Sequence, residues 1–118
     1  MIEAVIFDMD GVISDTQILH TTADIMVMKN YGISLKKDDL IQLAGIVDKE
    51  MFGKLFSMYN IRGNIKEAIE RKWKIIMGKA DDAIKPIPGA LELINKLKEQ
   101  KFKLAIASSS PLFFINTV

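Results

Sequence analysis

Two short apolar segments near opposite ends of the chain constrain the fold most strongly. Residues 3–8 are rich in Val, Ile and Phe and alternate little, which predicts a β-strand covered on both faces. Residues 102–107 predict a second buried strand. A helix precedes that second strand, and a strand–helix–strand unit normally places its two strands side by side and parallel. An α/β fold is therefore expected.

The connection between the strands is much longer than one crossover helix requires. Apolar residues recur at helical spacing over residues 16–31, 37–43, 48–59 and 65–78, and a further helix is expected from Pro88 to residue 100. Asp48 is predicted to cap the third of these helices. We expect a partial Rossmann-like parallel sheet, two strands of a larger core, with an inserted helical lobe. The boundaries are 1–14 and 83–118 for the core and 15–82 for the insertion. Ile18, Leu19, Ile25, Met26 and Met28 are the predicted apolar stripe of the first inserted helix.

Composition excludes several classes of function. Sixteen basic and fifteen acidic residues leave a formal charge of +1, so nothing favours binding to nucleic acid or to an anionic membrane. The chain has no cysteine, which excludes disulfides and thiolate metal sites. The N-terminal apolar run is too short for a signal peptide or a membrane span. A cytoplasmic protein is expected.

The first strand leads directly into the string Asp-Met-Asp-Gly. Extended geometry would point Asp8 and Asp10 to the same side. Two close carboxylates repel each other unless a cation neutralises them, and Mg²⁺ prefers such oxygen ligands. A carboxylate can also attack phosphorus, and a second one can serve as general acid and base. Gly11 would let backbone N–H groups approach a phosphate. The alternative is that both aspartates are turn or cap residues.

The second strand is followed by a run of three serines that begins at Ser108. Ligands of open parallel sheets bind at the carboxyl ends of the strands. Asp8 and Ser108 stand at those ends and are expected to face one cleft. The alternative for the serines is the N-cap of a final helix opened by Pro111.

The string "FDMDGVISDT" resembles the first signature of the haloacid dehalogenase-like superfamily, in its β-phosphoglucomutase and sugar-phosphate phosphatase branch. The helical insertion is similar to that branch's cap domain, and "PIPGALELINKLKEQKFKLAIASSS" is similar to the second signature with its preceding helix. The resemblance covers essentially the whole chain. It implies a Mg²⁺-dependent phosphatase that acts on a small phosphorylated metabolite, a sugar phosphate above all.

The resemblance also implies roles for individual residues. Asp8 would be the nucleophile that becomes aspartyl-phosphate, and it would bind Mg²⁺. Asp10 would be the general acid and base, and its backbone carbonyl would be a further metal ligand. The Ser108 hydroxyl and the Ser109 backbone N–H would hold the phosphate.

In the cap, the resemblance points to His20 and Gly45. His20 would help to couple cap closure to Asp10, although it can equally be an ordinary cap-helix residue. Gly45 matches a cap-loop glycine near the substrate. The mutase pattern has a lysine before that glycine and an arginine three residues after it, where this chain has Ala44 and Asp48. This departure favours a phosphatase over a mutase.

Two further family signatures, a lysine and an acidic pair, are expected beyond the serine run, and the 118 residues contain no match for them there. The chain is therefore expected to be a truncated form of a longer phosphohydrolase and inactive alone, with self-association through exposed sheet edges. A phosphomutase is the alternative with the same chemistry. A non-catalytic binding module is the alternative from another class. A receiver domain is disfavoured because its fold does not tolerate a large insertion after the first strand.

Overall fold

The computed structural model describes the backbone of residues 1–118, and the side chains of all of them except residues 81 and 83. Two strands and six helices follow one another along the chain, and the first four helices all lie between the first strand and the fifth helix. Within the described part of the chain, no helix has both the length and the apolarity needed to cross a membrane. The elements are β1 (Ala4–Asp8), α1 (Gln17–Asn30), α2 (Lys37–Ile41), α3 (Asp48–Met58), α4 (Ile65–Ala83), α5 (Ala90–Glu99), β2 (Lys103–Ala107) and α6 (Leu112–Ile115).

The two strands pair in parallel, as predicted, and their ends are level. Ala4 lies opposite Lys103, and Asp8 lies opposite Ala107. The strands are not covered on both faces within this chain, which corrects the expectation for residues 3–8. Ile6 is 69% exposed, and Ile106, which pairs with Phe7 and so lies on the opposite face, is 52% exposed.

The chain divides into two compact units. The strand unit comprises residues 1–17 and 80–118, and the helical unit comprises residues 18–79. In the strand unit the most deeply buried apolar side chains are Met9, directly after β1, and Phe114 of α6. The loop that follows β1 is thus anchored by its first residue.

The helical unit has its own hydrophobic core. The buried stripe of α1 runs through Leu19, Ala23 and Val27, at four-residue spacing. Ile18 and Met26, which the sequence placed in that stripe, are instead 62% and 40% exposed. Leu19 and Met28 are buried, as predicted. The core cluster consists of Val27, Met28, Leu35, Leu40, Met51, Phe52, Leu55, Phe56 and Ala68.

The helix boundaries differ from expectation by one or two residues at several ends, α2 for example ending at Ile41 and not at residue 43. Val47, not Asp48, is the N-cap of α3, and Asp48 is its first helical residue. Helix α4 continues beyond residue 78 to Ala83. Helix α5 begins at Ala90, after Gly89 in the left-handed region at φ +86°, where an L side chain would be strained.

Candidate active site

The loop after β1 closes tightly around one carbonyl. The Met9 carbonyl accepts hydrogen bonds from the N–H groups of Val12, Ile13 and Ser14, at 3.2, 3.0 and 3.1 Å. Gly11 donates its own N–H to the Ser14 carbonyl at 2.8 Å and has φ +77°. That backbone conformation explains the glycine, because an L side chain rarely adopts it.

The same loop is tied to the segment that precedes α5. The Asp15 N–H donates to the Lys85 carbonyl at 2.7 Å, and the Ile87 N–H donates to the Ile13 carbonyl at 2.8 Å. These backbone bonds fix the loop on both sides of Ser14. Backbone hydrogen bonds therefore fix the conformation of the loop that carries Asp10.

Asp8 ends β1 and is exposed, and its Oδ1 accepts the N–H of Met9 at 2.8 Å. Asp8 is paired with Ala107, the last residue of β2. Ser108 therefore directly follows the neighbouring strand end. This agrees with the expectation that both strand tips lie at one edge of the sheet. The roles assigned to Asp8 and Ser108 remain predictions.

Both oxygens of the half-buried Asp10 carboxylate accept hydrogen bonds from hydroxyl groups. The buried Thr16 hydroxyl donates to Oδ1, and the Ser110 hydroxyl donates to Oδ2 at 2.9 Å. Neither partner was recognised from the sequence. Thr16 belongs to the quoted signature, but Ser110 gave no signal of its own within the serine run.

The serines form a turn and do not cap a helix. Ser108 Oγ accepts the N–H of Ser110 at 3.1 Å, and the N-cap position of α6 is occupied by Pro111. The alternative interpretation of the serine run as an N-cap is therefore wrong. Ser108 is half-buried and Ser109 is exposed.

The two cap residues singled out in the sequence lie in the helical unit. The His20 ring meets the Trp73 ring edge-on, with centroids 5.5 Å apart and planes at 85°. Gly45 adopts φ +80° in the loop between α2 and α3, which suits glycine. Their proposed roles toward substrate remain predictions.

A buried ionic cluster, formed by Asp24, Asp48, Lys72 and Trp73, was missed by sequence reasoning. Lys72 Nζ lies 2.9 Å from Asp24 Oδ1 and 2.6 Å from Asp48 Oδ1. The Trp73 indole N–H donates to Asp48 Oδ2 at 2.9 Å. The cluster joins α1, α3 and α4, and it explains why Asp48 does not cap its helix. Its one signal in the sequence is an aspartate, Asp24, on the apolar side of α1.

Asp24 is the least satisfied member of this cluster. Its Oδ1 accepts no well-directed hydrogen bond, although Lys72 is close. Burial raises the pKa of the Asp24 carboxyl above 3.8, and the Lys72 charge opposes this rise only in part. The neighbouring Asp48 charge raises it further, and His20 lowers it slightly.

Comparison with known proteins identifies the family to which the chain is similar. The family model of haloacid dehalogenase-like hydrolases matches residues 5–112. The chain is 32% identical over 112 residues to a phosphorylated carbohydrates phosphatase of Thermotoga maritima, covering 92% of this chain and 50% of that protein. It is 31% identical over 119 residues to a β-phosphoglucomutase of Bacillus subtilis, covering 92% and 51%.

The fold is also found in solved structures. The crystal structure of CbbY from Rhodobacter sphaeroides in complex with phosphate superposes with a TM-score of 0.81 at 22% identity, covering 99% of this chain and 55% of that one. The chain thus spans about half the length of these proteins. The match over residues 5–112 takes in both strands and the helical insertion, and the chain belongs to the haloacid dehalogenase-like hydrolase family.

Proposed function

We propose that the complete protein carrying this chain is a phosphatase of small phosphorylated metabolites, with sugar phosphates as the substrate class. The observation that carries the proposal is the edge of the sheet where Asp8 pairs with Ala107 and the loop after β2 reaches Asp10. The similarity to a phosphatase of phosphorylated carbohydrates supports the substrate class.

The proposed reaction has two steps. In the first, an Asp8 oxygen attacks phosphorus, the bond from phosphorus to the leaving oxygen breaks, and Asp10 gives its proton to that oxygen. In the second, water attacks the aspartyl-phosphate and loses a proton to Asp10. Inorganic phosphate leaves, and Asp8 is regenerated as a carboxylate while Asp10 is protonated again. Ser108 and Ser109 are proposed to hold the phosphate oxygens.

The residues present are chemically suited to Mg²⁺. The exposed Asp8 carboxylate and the Asp10 backbone carbonyl are hard oxygen donors, and Mg²⁺ keeps several waters in its shell. Among the residues whose side chains are described, no three His, Cys, Asp or Glu side chains group together as metal ligands. When bound, the ion would neutralise negative charge on the phosphoryl group and on Asp8. Asp8 and Asp10 are the proposed protein ligands.

We further propose that the helical insertion acts as a cap, with residues 15–82 as the cap and residues 1–14 and 83–118 as the core. His20 and Gly45 are its candidate substrate-side residues, and Gly11 is a candidate phosphate neighbour in the core. We also propose that the chain self-associates through its exposed strands.

A phosphomutase is the second candidate, and the similarity to the Bacillus subtilis enzyme supports it. Two residues of the helical insertion disfavour a mutase. Ala44 and Asp48 replace the two cations of the mutase pattern, and the Asp48 carboxylate is engaged by Lys72 and Trp73. A phosphatase releases inorganic phosphate, whereas a mutase returns an isomeric sugar phosphate, so product analysis separates the two.

The nucleophile is tested by Asp8→Asn in the complete protein. We expect the release of nitrophenol from 4-nitrophenyl phosphate to fall by roughly 10³-fold or more, because the amide is a very poor nucleophile. Asp15→Asn is the matched control in the same loop and should leave turnover nearly unchanged. Mass spectrometry of peptides from acid-quenched enzyme should find phosphate on Asp8. Turnover that survives Asp8→Asn would contradict the assignment.

A further inference from the structure

Ser110 connects the loop after β2 to the loop after β1. Its hydroxyl donates to Asp10 Oδ2 at 2.9 Å, across 100 residues of sequence. Its backbone N–H donates to Ser108 Oγ at 3.1 Å. One half-buried residue is thus bonded both to the candidate phosphate ligand and to the candidate acid and base.

We propose that Ser110 is a positioning residue for Asp10, an inference that rests on the proposed function. Ser110 is not assigned contact with the reacting atoms. It acts by holding the Asp10 carboxylate in one orientation while the proton is given to the leaving oxygen and later recovered from water.

A hydroxyl is chemically suited to this task. Asp10 must alternate between an ionised carboxylate and a carboxylic acid, and a serine hydroxyl can either donate or accept a hydrogen bond. It donates to the carboxylate and can accept from the acid, so the contact persists in both states without a change of partner. A backbone N–H could only donate, so it could not accept the acid's own O–H.

The two hydroxyl partners of Asp10 come from different segments. The Thr16 hydroxyl reaches Oδ1 from the start of α1, within six residues of Asp10. The Ser110 hydroxyl reaches Oδ2 from the distant strand end. Thr16 alone would leave the carboxyl plane free to turn about one contact, whereas Ser110 fixes the second oxygen relative to β2.

The inference predicts a loss that depends on the leaving group. Nitrophenolate departs without protonation, whereas a sugar alkoxide needs the Asp10 proton. In a two-step mechanism, kcat/KM reports the steps up to leaving-group departure. Ser110→Ala should therefore lower kcat/KM for glucose 6-phosphate by roughly 10- to 100-fold, the size of one hydrogen bond to a charged group, and should lower it far less for 4-nitrophenyl phosphate.

The experiment compares these two substrates in the complete protein for the parent, Ser110→Ala and Ser110→Thr, with melting temperatures measured for each. Ser110→Thr should restore most of the kcat/KM for glucose 6-phosphate. Thr117→Val is the matched control, because it removes an exposed hydroxyl of the same unit that donates to the Phe113 carbonyl. Should Ser110→Ala fail to fold, Ser110→Cys replaces it, since a thiol is only a weak donor.

Equal losses for the two substrates, or no loss for either, would overturn the positioning role while leaving the phosphatase in place. Failure of Ser110→Thr to recover activity would do the same. If the parent protein hydrolyses neither substrate, the proposed function itself falls and the role of Ser110 falls with it.

Discussion

Asp24 is an ionisable residue at a buried position of a helix. It lies among buried positions of α1, and it is 5% exposed. A carboxylate there loses most of its hydration, and the Lys72 ammonium beside it is shared with Asp48. Ionised Asp24 therefore lowers the stability of the folded helical unit relative to the protonated residue.

This arrangement predicts a particular pH dependence of stability. Because the pKa of Asp24 is raised in the folded state, folding takes up a proton at pH values between 3.8 and the raised pKa. The contribution of Asp24 to the free energy of unfolding is fully favourable below pH 3.8 and is lost as pH rises through the folded pKa. Asp24→Asn should remove this contribution, so the stability difference between parent and variant should change with pH in that window.

Urea unfolding of the 118-residue chain at a series of pH values measures the effect, with Trp73 as the sole fluorescent tryptophan. The exposed Asp38→Asn is the matched control and should run parallel to the parent chain. A constant difference between Asp24→Asn and the parent at all pH values would contradict the prediction.

Among the secondary-structure elements, α4 contributes the cation that joins three helices. Lys72 is buried between two carboxylates, from α1 and α3. Removing one member of a buried ion pair leaves uncompensated charge, so Lys72→Met should lower the free energy of unfolding by about 3–5 kcal/mol. Met keeps the length and apolar volume of the lysine stem, so the loss reports mainly the missing charge.

The control for this prediction lies two residues further along the same helix. Lys74 is exposed, and Lys74→Met should change the free energy of unfolding by less than about 0.5 kcal/mol. Chemical denaturation of both variants checks the difference. Similar values for Lys72→Met and Lys74→Met would mean that the buried cluster contributes nothing to stability.

Sequence reasoning predicted elements better than their ends and contacts. Both strands, their parallel pairing and the four inserted helices follow from apolar spacing, because period is a local property. Aspartate is a good N-cap, which predicts a capping role for Asp48, but its carboxylate instead contacts Lys72 and Trp73. The tie from Ser110 to Asp10 joins residues 100 positions apart, and no local pattern encodes such a contact.

Across the whole molecule, several large apolar side chains are exposed, and two of them lie on the paired strands. Ile6 of the sheet is 69% exposed, and Ile106 of the neighbouring strand is 52% exposed. Exposed strands that carry large apolar side chains favour association with other chains. The isolated 118-residue chain should therefore self-associate at micromolar concentration, and Ile6→Lys should weaken this association.

Sedimentation velocity over a concentration series measures the association. Ile41→Lys is the matched control, because Ile41 is 66% exposed but lies on α2 in the helical unit. A larger effect of Ile41→Lys than of Ile6→Lys would place the association surface elsewhere.

The backbone bonds between residues 13–15 and 85–87 have a consequence for how such a protein can change over evolutionary time. The chain departs toward the helices and returns from them at neighbouring points, with the Asp15 nitrogen and the Lys85 oxygen only 2.7 Å apart. Because the two ends of the insertion are hydrogen-bonded neighbours, the insertion can be lengthened, shortened or replaced without moving the strands. Under the proposed function, changes within the insertion would alter substrate selectivity while Asp8 and Asp10 keep their positions after β1.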